Sequence, residues 1–287
     1  MRPIQLIVNA DDFGMSKEVN EAVVHAFKKG VLTSCSLMVM GEAFDEAVHL
    51  AKENRGLGVG IHLVTVMGRS VLPRSEIPAL VNEKGFFSCH PGFAGLKYYF
   101  SRRARAQLRK ELAAQFEKFQ STGLPFSHID AHLHMHVHPV IFNAAVELGE
   151  KFGVRRMRVP QDELALALRF DRSSFLKKII LSLLFSLLVR FMRRKLKARH
   201  FVFPERVYGN FQSGKMDETY FLYALENLRA ESNEIYFHPA LHDAGRKSDE
   251  QLPSRIEYEA LTSHRVIEQL RHLKIRLTNY FELEPCR

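Results

Sequence analysis

Two adjacent acids follow an apolar run near the start of the chain, in Ile4-Gln-Leu-Ile-Val-Asn-Ala-Asp-Asp-Phe-Gly14. A lone Asp at a strand end is ordinarily a turn residue or a helix cap. Two in succession suggest more. Neighbouring side chains on an extended chain point opposite ways, so both reach one site only if the strand bends at its end. One carboxylate then suits a metal and the other a general base. His62, in Gly60-Ile-His62, reads alone as a structural strand histidine. With Asp12 and His132 it completes an Asp-His-His set, three protein ligands that leave a position for water, as a hydrolytic metal site requires.

The segment His128-Ile-Asp-Ala-His-Leu-His-Met-His-Val-His138 has polar residues at even positions and apolar ones at odd positions. For most of its histidines the plain reading is the solvated face of a half-exposed strand. His132 and His134 lie nearest the expected strand end and are the candidates for metal or substrate. His238, before Pro239, suits a general acid because imidazole titrates near neutrality; packing or capping is the plain alternative. Arg158 either binds substrate or orients a carboxylate. There is no Gly-x-Ser-x-Gly and no cysteine with a nucleophile signature, so a covalent mechanism is disfavoured.

The elements that must position these residues alternate. Apolar runs at Ile4–Ala10, Thr33–Met40, Leu57–Leu63, Phe126–His132, Val154–Val159, Glu234–His238 and Ile275–Asn279 read as strands. Between them, Ser16–Lys29, Ala43–Asn54, Ala104–Thr122, Val140–Phe152, Met216–Leu228 and Arg255–Leu273 read as helices. About seven strands alternating with helices predict an α/β fold with a parallel sheet, and a closed or nearly closed (β/α) barrel suits the count. In such a barrel the C-terminal strand ends hold the active site, and the candidate residues sit at those ends. No Gly-x-Gly-x-x-Gly or P-loop follows the first strand, so nucleotide binding there has no support. The expectation is a single barrel domain over 1–287, with an insertion at about 161–215.

The chain of 287 residues carries 41 Lys+Arg against 32 Asp+Glu, and the surplus is local. Ten basic residues and one acid lie between Arg169 and Arg199, so the remainder is close to neutral. Within 173–199 an apolar stretch, Ile179 to Val189, is flanked by cations. Its eleven residues, two of them serine, are too few to span a bilayer, which takes about 20. The segment reads either as a buried helix with a solvated basic end or as a helix in the membrane interface, with cations toward anionic lipid. No nucleic-acid module surrounds these arginines, and nucleic acid is not an expected partner. Cys35, Cys89 and Cys286 are too dispersed for a disulfide framework or a cysteine zinc site. A reducing, cytoplasmic location follows, with peripheral contact at the inner face of the membrane if 173–199 binds lipid. The N-terminus shows no signal-peptide pattern.

Ile7-Val-Asn-Ala-Asp-Asp-Phe-Gly14, Gly60-Ile-His62 and His128-Ile-Asp-Ala-His-Leu-His134 together resemble the YdjC-like carbohydrate deacetylases, the group that includes the chito-oligosaccharide deacetylases. Thr33-Ser34 and Phe237-His238-Pro239 match as well; the likeness covers about residues 4–160 well and 234–280 more loosely. Ser36-Leu-Met-Val-Met40, Gly95-Leu-Lys-Tyr-Tyr-Phe100 and the basic apolar insertion resemble the hopanoid-biosynthesis-associated branch. The resemblance implies a distorted (β/α) barrel and a divalent metal, Zn²⁺ or Mg²⁺, on Asp12, His62 and His132. It makes Asp11 the general base and His238 the general acid. Its implied reaction is removal of an N-acetyl group from an N-acetylglucosaminyl moiety, on a polycyclic lipid in that branch; a chito-oligosaccharide substrate and a non-enzymatic glycolipid-binding protein are the alternatives.

Overall fold

A computed structural model describes residues 3–161, 163–242 and 254–284. Cys286 lies outside the described residues. The order opens β1 (Gln5–Phe13), α1 (Lys17–Lys29), β2 (Ser34–Leu37), α2 (Phe44–Glu53) and β3 (Gly58–Leu63). It continues α3 (Pro91–Phe100), α4 (Arg102–Ser121), β4 (Ile129–Ala131), a 3-10 segment (His132–Val137) and α5 (Pro139–Lys151). It ends α6 (Leu164–Phe170), α7 (Phe175–Ala198), β5 (Arg206–Tyr208), α8 (Glu218–Glu226), β6 (Ser232–Phe237), α9 (Arg255–Leu261), α10 (His264–His272) and β7 (Arg276–Thr278).

The strands form one parallel, curled sheet in the order β4-β3-β2-β1-β6-β5. β7 pairs with β1 at Gln5 to Ile7, beside the stretch where β2 pairs with it at Asn9 to Phe13. Between β4 and β5 the extended stretch around Arg156–Arg158 bridges the gap, through Ile129↔Met157 and Arg156↔Val202. That stretch was expected as a full strand; it makes only isolated bridges. The strand count of seven is restored by β5, which lies inside the segment expected to interrupt the alternation. Three residues, Arg-Val-Tyr, are too short a run to stand out as a strand by pattern. The expected helix over Arg255–Leu273 is two helices, because Ser263 caps a new start by accepting from Val266 N–H.

Every residue of β3 and of β6 is buried, as parallel strands covered on both faces require. Register alternation makes the inner face polar: Asn9 and Asp11, Ser34 and Ser36, Gly60 and His62, His128 and Asp130, Glu234 and Tyr236 lie on it. Gly60 sits there because a Cβ would come within 2.3 Å of the His128 ring. Helices pin the strand ends. Gln115 of α4 accepts from Val64 N–H (2.9 Å) and donates to Val64 O (2.7 Å), just beyond His62. Asn20 of α1 accepts from Gly14 N–H (2.8 Å) and donates to Ala43 O (3.0 Å), fixing the turn after the acid pair.

Candidate metal centre and acid–base residues

The bend that the adjacent acids need is present. Asp12 has φ 63°, and the β1–β2 register shifts between Ala10 and Phe13. This bulge with a left-handed residue aims both Asp11 and Asp12 at the C-terminal mouth of the barrel. Asp12 Oδ1 lies 3.0 Å from His132 Nδ1 and 3.4 Å from His62 Nε2. One donor atom from each of the three residues falls within 4.8 Å of the others.

The chemistry of this set fits a divalent cation. One carboxylate and two imidazoles are common zinc donors. Asp12 Oδ2 is buried with no hydrogen-bond partner among the described residues. His62 donates from Nδ1 to Asp130 Oδ1 at 2.7 Å, the carboxylate–histidine support that orients a ligating imidazole, and this turns Nε2 toward Asp12. The surroundings also favour positive charge. Burial works against a proton on His62, yet Asp130 and the hydrogen bond to Asp12 outweigh it and raise the imidazole to about 10. Burial similarly opposes the Asp12 carboxylate, but His132 and His62 hold it well below the usual carboxylate range. A second grouping, Asp11, His62 and Asp130, fits less well. Its two carboxylates already hold the Arg158 guanidinium, which would repel a cation there.

Arg158 is fully buried and organises the floor of the site. It donates to Asp11 Oδ1 and Oδ2 (2.7 Å each), to Glu234 Oε1 (2.6 and 2.8 Å), and lies 3.0 Å from Asp130 Oδ2. It has no exposed surface, and all its described side-chain hydrogen-bond and ion-pair partners are carboxylates. The network runs outward from there. Asn9 donates to Asp11 Oδ1 (2.9 Å) and Ser36 Oγ (3.0 Å), Ser36 donates to Asp130 Oδ2 (2.7 Å), and Tyr280 donates to Glu234 Oε2 (2.5 Å).

His238 follows β6 and comes within 4.0 Å of Asp11 Oδ2 through Nε2. Its Nδ1 lies 3.8 Å from Glu257 Oε2, and its backbone N–H donates to that same oxygen at 2.5 Å. Burial works against the imidazolium, but Glu257 and the two site aspartates raise His238 to about 9, so it holds a proton at neutrality.

The histidine run departs from the solvated strand face expected for most of it. β4 ends at Ala131, and Leu133 and His134 take left-handed φ values of 51° and 53° in the 3-10 segment. His128 and His136 are fully buried, His134 nearly so. His134 Nε2 meets the Tyr236 hydroxyl at 3.0 Å and His136 Nε2 the Arg158 carbonyl at 3.1 Å. Burial, with Arg158 nearby, keeps His134 well below its ordinary value and brings His136 to about 4, so both are neutral. Ser36, Asp130, Glu234, Glu257 and Tyr280 had no role in the sequence reading. The signal for three of them was there: polar residues at period two inside fully apolar surroundings, as in Glu234-Ile-Tyr-Phe-His238.

Asp11, Asp12, His62, His132 and His238 thus meet at the C-terminal mouth of a parallel α/β barrel-like sheet, with His134 close behind them. This is the arrangement of a barrel whose strand ends carry a candidate metal centre and two proton-handling side chains. The chain belongs to the YdjC-like protein family, whose model matches residues 5–272. It is 43% identical over 151 residues to a carbohydrate deacetylase of Geobacillus stearothermophilus, 52% of this chain and 58% of that protein. Over its whole length it is 30% identical to a carbohydrate deacetylase of Clostridium beijerinckii, covering 98% of this chain and 100% of the relative. A chitooligosaccharide deacetylase of Salmonella paratyphi B is 36% identical over 177 residues, 60% of this chain and 61% of the relative. The matched stretch thus spans somewhat more than half of several of these relatives. The fold matches a crystal structure from Enterococcus faecalis V583, named provisionally as a cellobiose-phosphate cleavage protein, with TM-score 0.75 and 25% identity over 97% of this chain and 98% of that one.

Proposed function

We propose that this protein is a metal-dependent carbohydrate N-deacetylase acting on an N-acetylglucosaminyl group. The observation that carries the reading is the meeting of Asp12, His62 and His132 with Asp11 and His238 at one strand-end mouth. Relatives named as carbohydrate and chitooligosaccharide deacetylases support the amino-sugar substrate. Asp12, His62 and His132 would hold the metal, which when bound polarises the acetyl carbonyl and makes a water more acidic. Asp11, fixed by Arg158 and Asn9, accepts the proton of the attacking water. His238, protonated at neutrality, donates to the nitrogen as the amide bond breaks; an amine leaves readily, an amide anion does not. His134, held by the Tyr236 hydroxyl, is assigned to the sugar in this reading.

The finer reading is a glycolipid substrate of the hopanoid type, met at a membrane surface. Its support is α7, which buries Val189, Met192 and Leu196 on one side and exposes Leu176, Ile180, Leu183, Leu184 and Leu187 on the other. The helix is therefore neither buried all round nor a span: no helix among the described residues is long and apolar enough to cross a membrane. Exposed apolar residues at these spacings, followed by Arg190 and Arg194, suit an anionic interface. Chito-oligosaccharides are the second substrate reading, favoured by the relatives' names.

The test is acetate release from an N-acetylglucosaminyl hopanoid-type lipid and, in parallel, from a chito-disaccharide, with and without chelator. Chelator-sensitive release from the lipid alone supports the full reading; release from the disaccharide alone keeps the chemistry and removes the lipid. No release from either, with the lipid still bound, leaves a glycolipid-binding protein. Restoring the chelated protein with Zn²⁺ or Mg²⁺ in turn identifies the metal.

A further inference from the structure

A groove of about 660 Å³ opens among the loops and helices that follow the site strands. Its walls come from the residues that directly follow the site strands: Met15 lies three positions beyond Asp12, Val64 two beyond His62, and Ala240 two beyond His238. The groove thus lies at the strand-end side of the sheet, where the acetyl group would also lie. Four of the chain's nine methionines, Met15, Met38, Met40 and Met67, line it together with Phe44 and Phe86. Met67 is 53% exposed and Phe86 43%, so two large apolar side chains stand open to solvent within one concave surface. Beyond them a second cavity of about 680 Å³ shares Met67, Gly68 and Phe86 as its wall and continues along Leu80 and Val81.

This lining suits a particular chemistry. A second sugar ring carries hydroxyls that need donors and acceptors, and each left unpaired on burial is costly. Methionine sulfur is a weak acceptor and no donor, whereas its flexible, polarisable chain moulds to irregular apolar shapes. The Lys118 ammonium, half-buried among the lining groups, lies against Met40 Sδ (2.9 Å) and the Phe44 ring. The other polar lining groups stand at the edge: Glu18, Glu42, Asp45, Arg69 and His242 are exposed to water and Ser16 is half-exposed, so the floor between them is apolar.

We propose that the methionine groove holds the apolar aglycone of the substrate, while the amino sugar it is attached to lies at the Asp12–His62–His132 cluster. The inference rests on the deacetylase reading for where the sugar sits, and it deepens the glycolipid reading by giving the lipid part its own site inside the barrel mouth, separate from the α7 face.

The probes are methyl, butyl and octyl N-acetylglucosaminides, each below its micelle concentration, with N,N′-diacetylchitobiose for comparison. Acetate release and calorimetric binding to the metal-loaded protein are measured side by side. The expected result is affinity rising with chain length, up to about fourfold per methylene if burial is complete. In Met67→Gln and, separately, Phe86→Ser, both at exposed positions where folding tolerates change, the rise from methyl to octyl shrinks at least fivefold, and chitobiose binding moves less than twofold. A flat series in the native protein overturns the proposal. So does a chain-length dependence that survives both substitutions, or a loss for chitobiose equal to that for the octyl glycoside, which makes the groove a sugar subsite. Chain-length-dependent binding without acetate release sinks the deacetylase reading and keeps the groove; acetate release with no chain-length dependence does the reverse.

Discussion

Arg158 offers the sharpest test of how this site is held together. Its guanidinium faces Asp11, Asp130 and Glu234 and is wholly buried with Asp130 and Glu234. Substitution by methionine keeps most of the volume and removes the only cation within bonding distance of Glu234 among the described residues. Breaking a buried ion pair from one side costs about 3–5 kcal/mol, because the remaining charge is uncompensated. Three carboxylates share this cation, so Arg158→Met belongs at the top of that range. The pH dependence makes the test specific. In the native protein burial opposes the Asp130 carboxylate, but Arg158 and His62 hold it well below the usual range. A carboxylate with a depressed folded pKa stabilises above its unfolded pKa and loses that contribution as pH falls through the folded value. Removing Arg158 takes away part of this depression, so the deficit of the variant is largest near pH 8 and narrows toward pH 5 as the orphaned carboxylates take up protons. Urea unfolding of both proteins at pH 8, 6.5 and 5 measures it. A deficit under about 1 kcal/mol, or one that does not change with pH, refutes the buried-network account, since either result contradicts the cost of leaving such charges unpaired.

Asp11→Asn is expected to keep metal and lower acetate release at least a hundredfold, while His62→Ala loses bound metal as well; near-normal turnover in Asp11→Asn removes the base assignment. His136, lowered by burial to about 4, is neutral in the fold. Its depressed folded value means stability is intact above about pH 6.5 and declines as pH falls toward 4, by about 3 kcal/mol in all. His136→Gln flattens that part of the denaturation profile, and an unchanged profile assigns the acid sensitivity elsewhere. Gly41→Ala would place a Cβ 2.0 Å from the Gly14 carbonyl oxygen. The turn after Asp12 must then shift, with about 1–3 kcal/mol lost in thermal unfolding from overpacking; a variant as stable as the native protein shows that this turn yields freely.

The sequence by itself determined the parts that depend on local pattern. Apolar runs alternating with amphipathic helices dictated a parallel α/β architecture, because buried strands and their covering helices carry different periods. Ser16 and Gly30 marked α1, and Ser16 accepts from Val19 N–H as an N-cap should. The acid pair and the histidines at strand ends pointed to one mouth, since all parallel strands finish at the same end.

Tertiary structure alone decided which polar groups face each other across the barrel. Glu234, Asp130 and Asp11 are far apart in the chain, and only sheet register brings them to the one guanidinium. Glu257 reaches His238 because the bridge between Pro239 and Ser254 sets the start of α9 beside the end of β6. The histidine run looked like an exposed strand because alternation is the same whether the polar face meets water or a barrel interior; the left-handed turn at Leu133 and His134 is invisible to that pattern. β5 escaped for the opposite reason: three residues carry too little period to read, and its place in the sheet is set by pairing with β6 at Asn233 to Ile235. Spacing along the chain encodes which side of an element a residue takes, while contact between elements is fixed only when their faces close on a common interior.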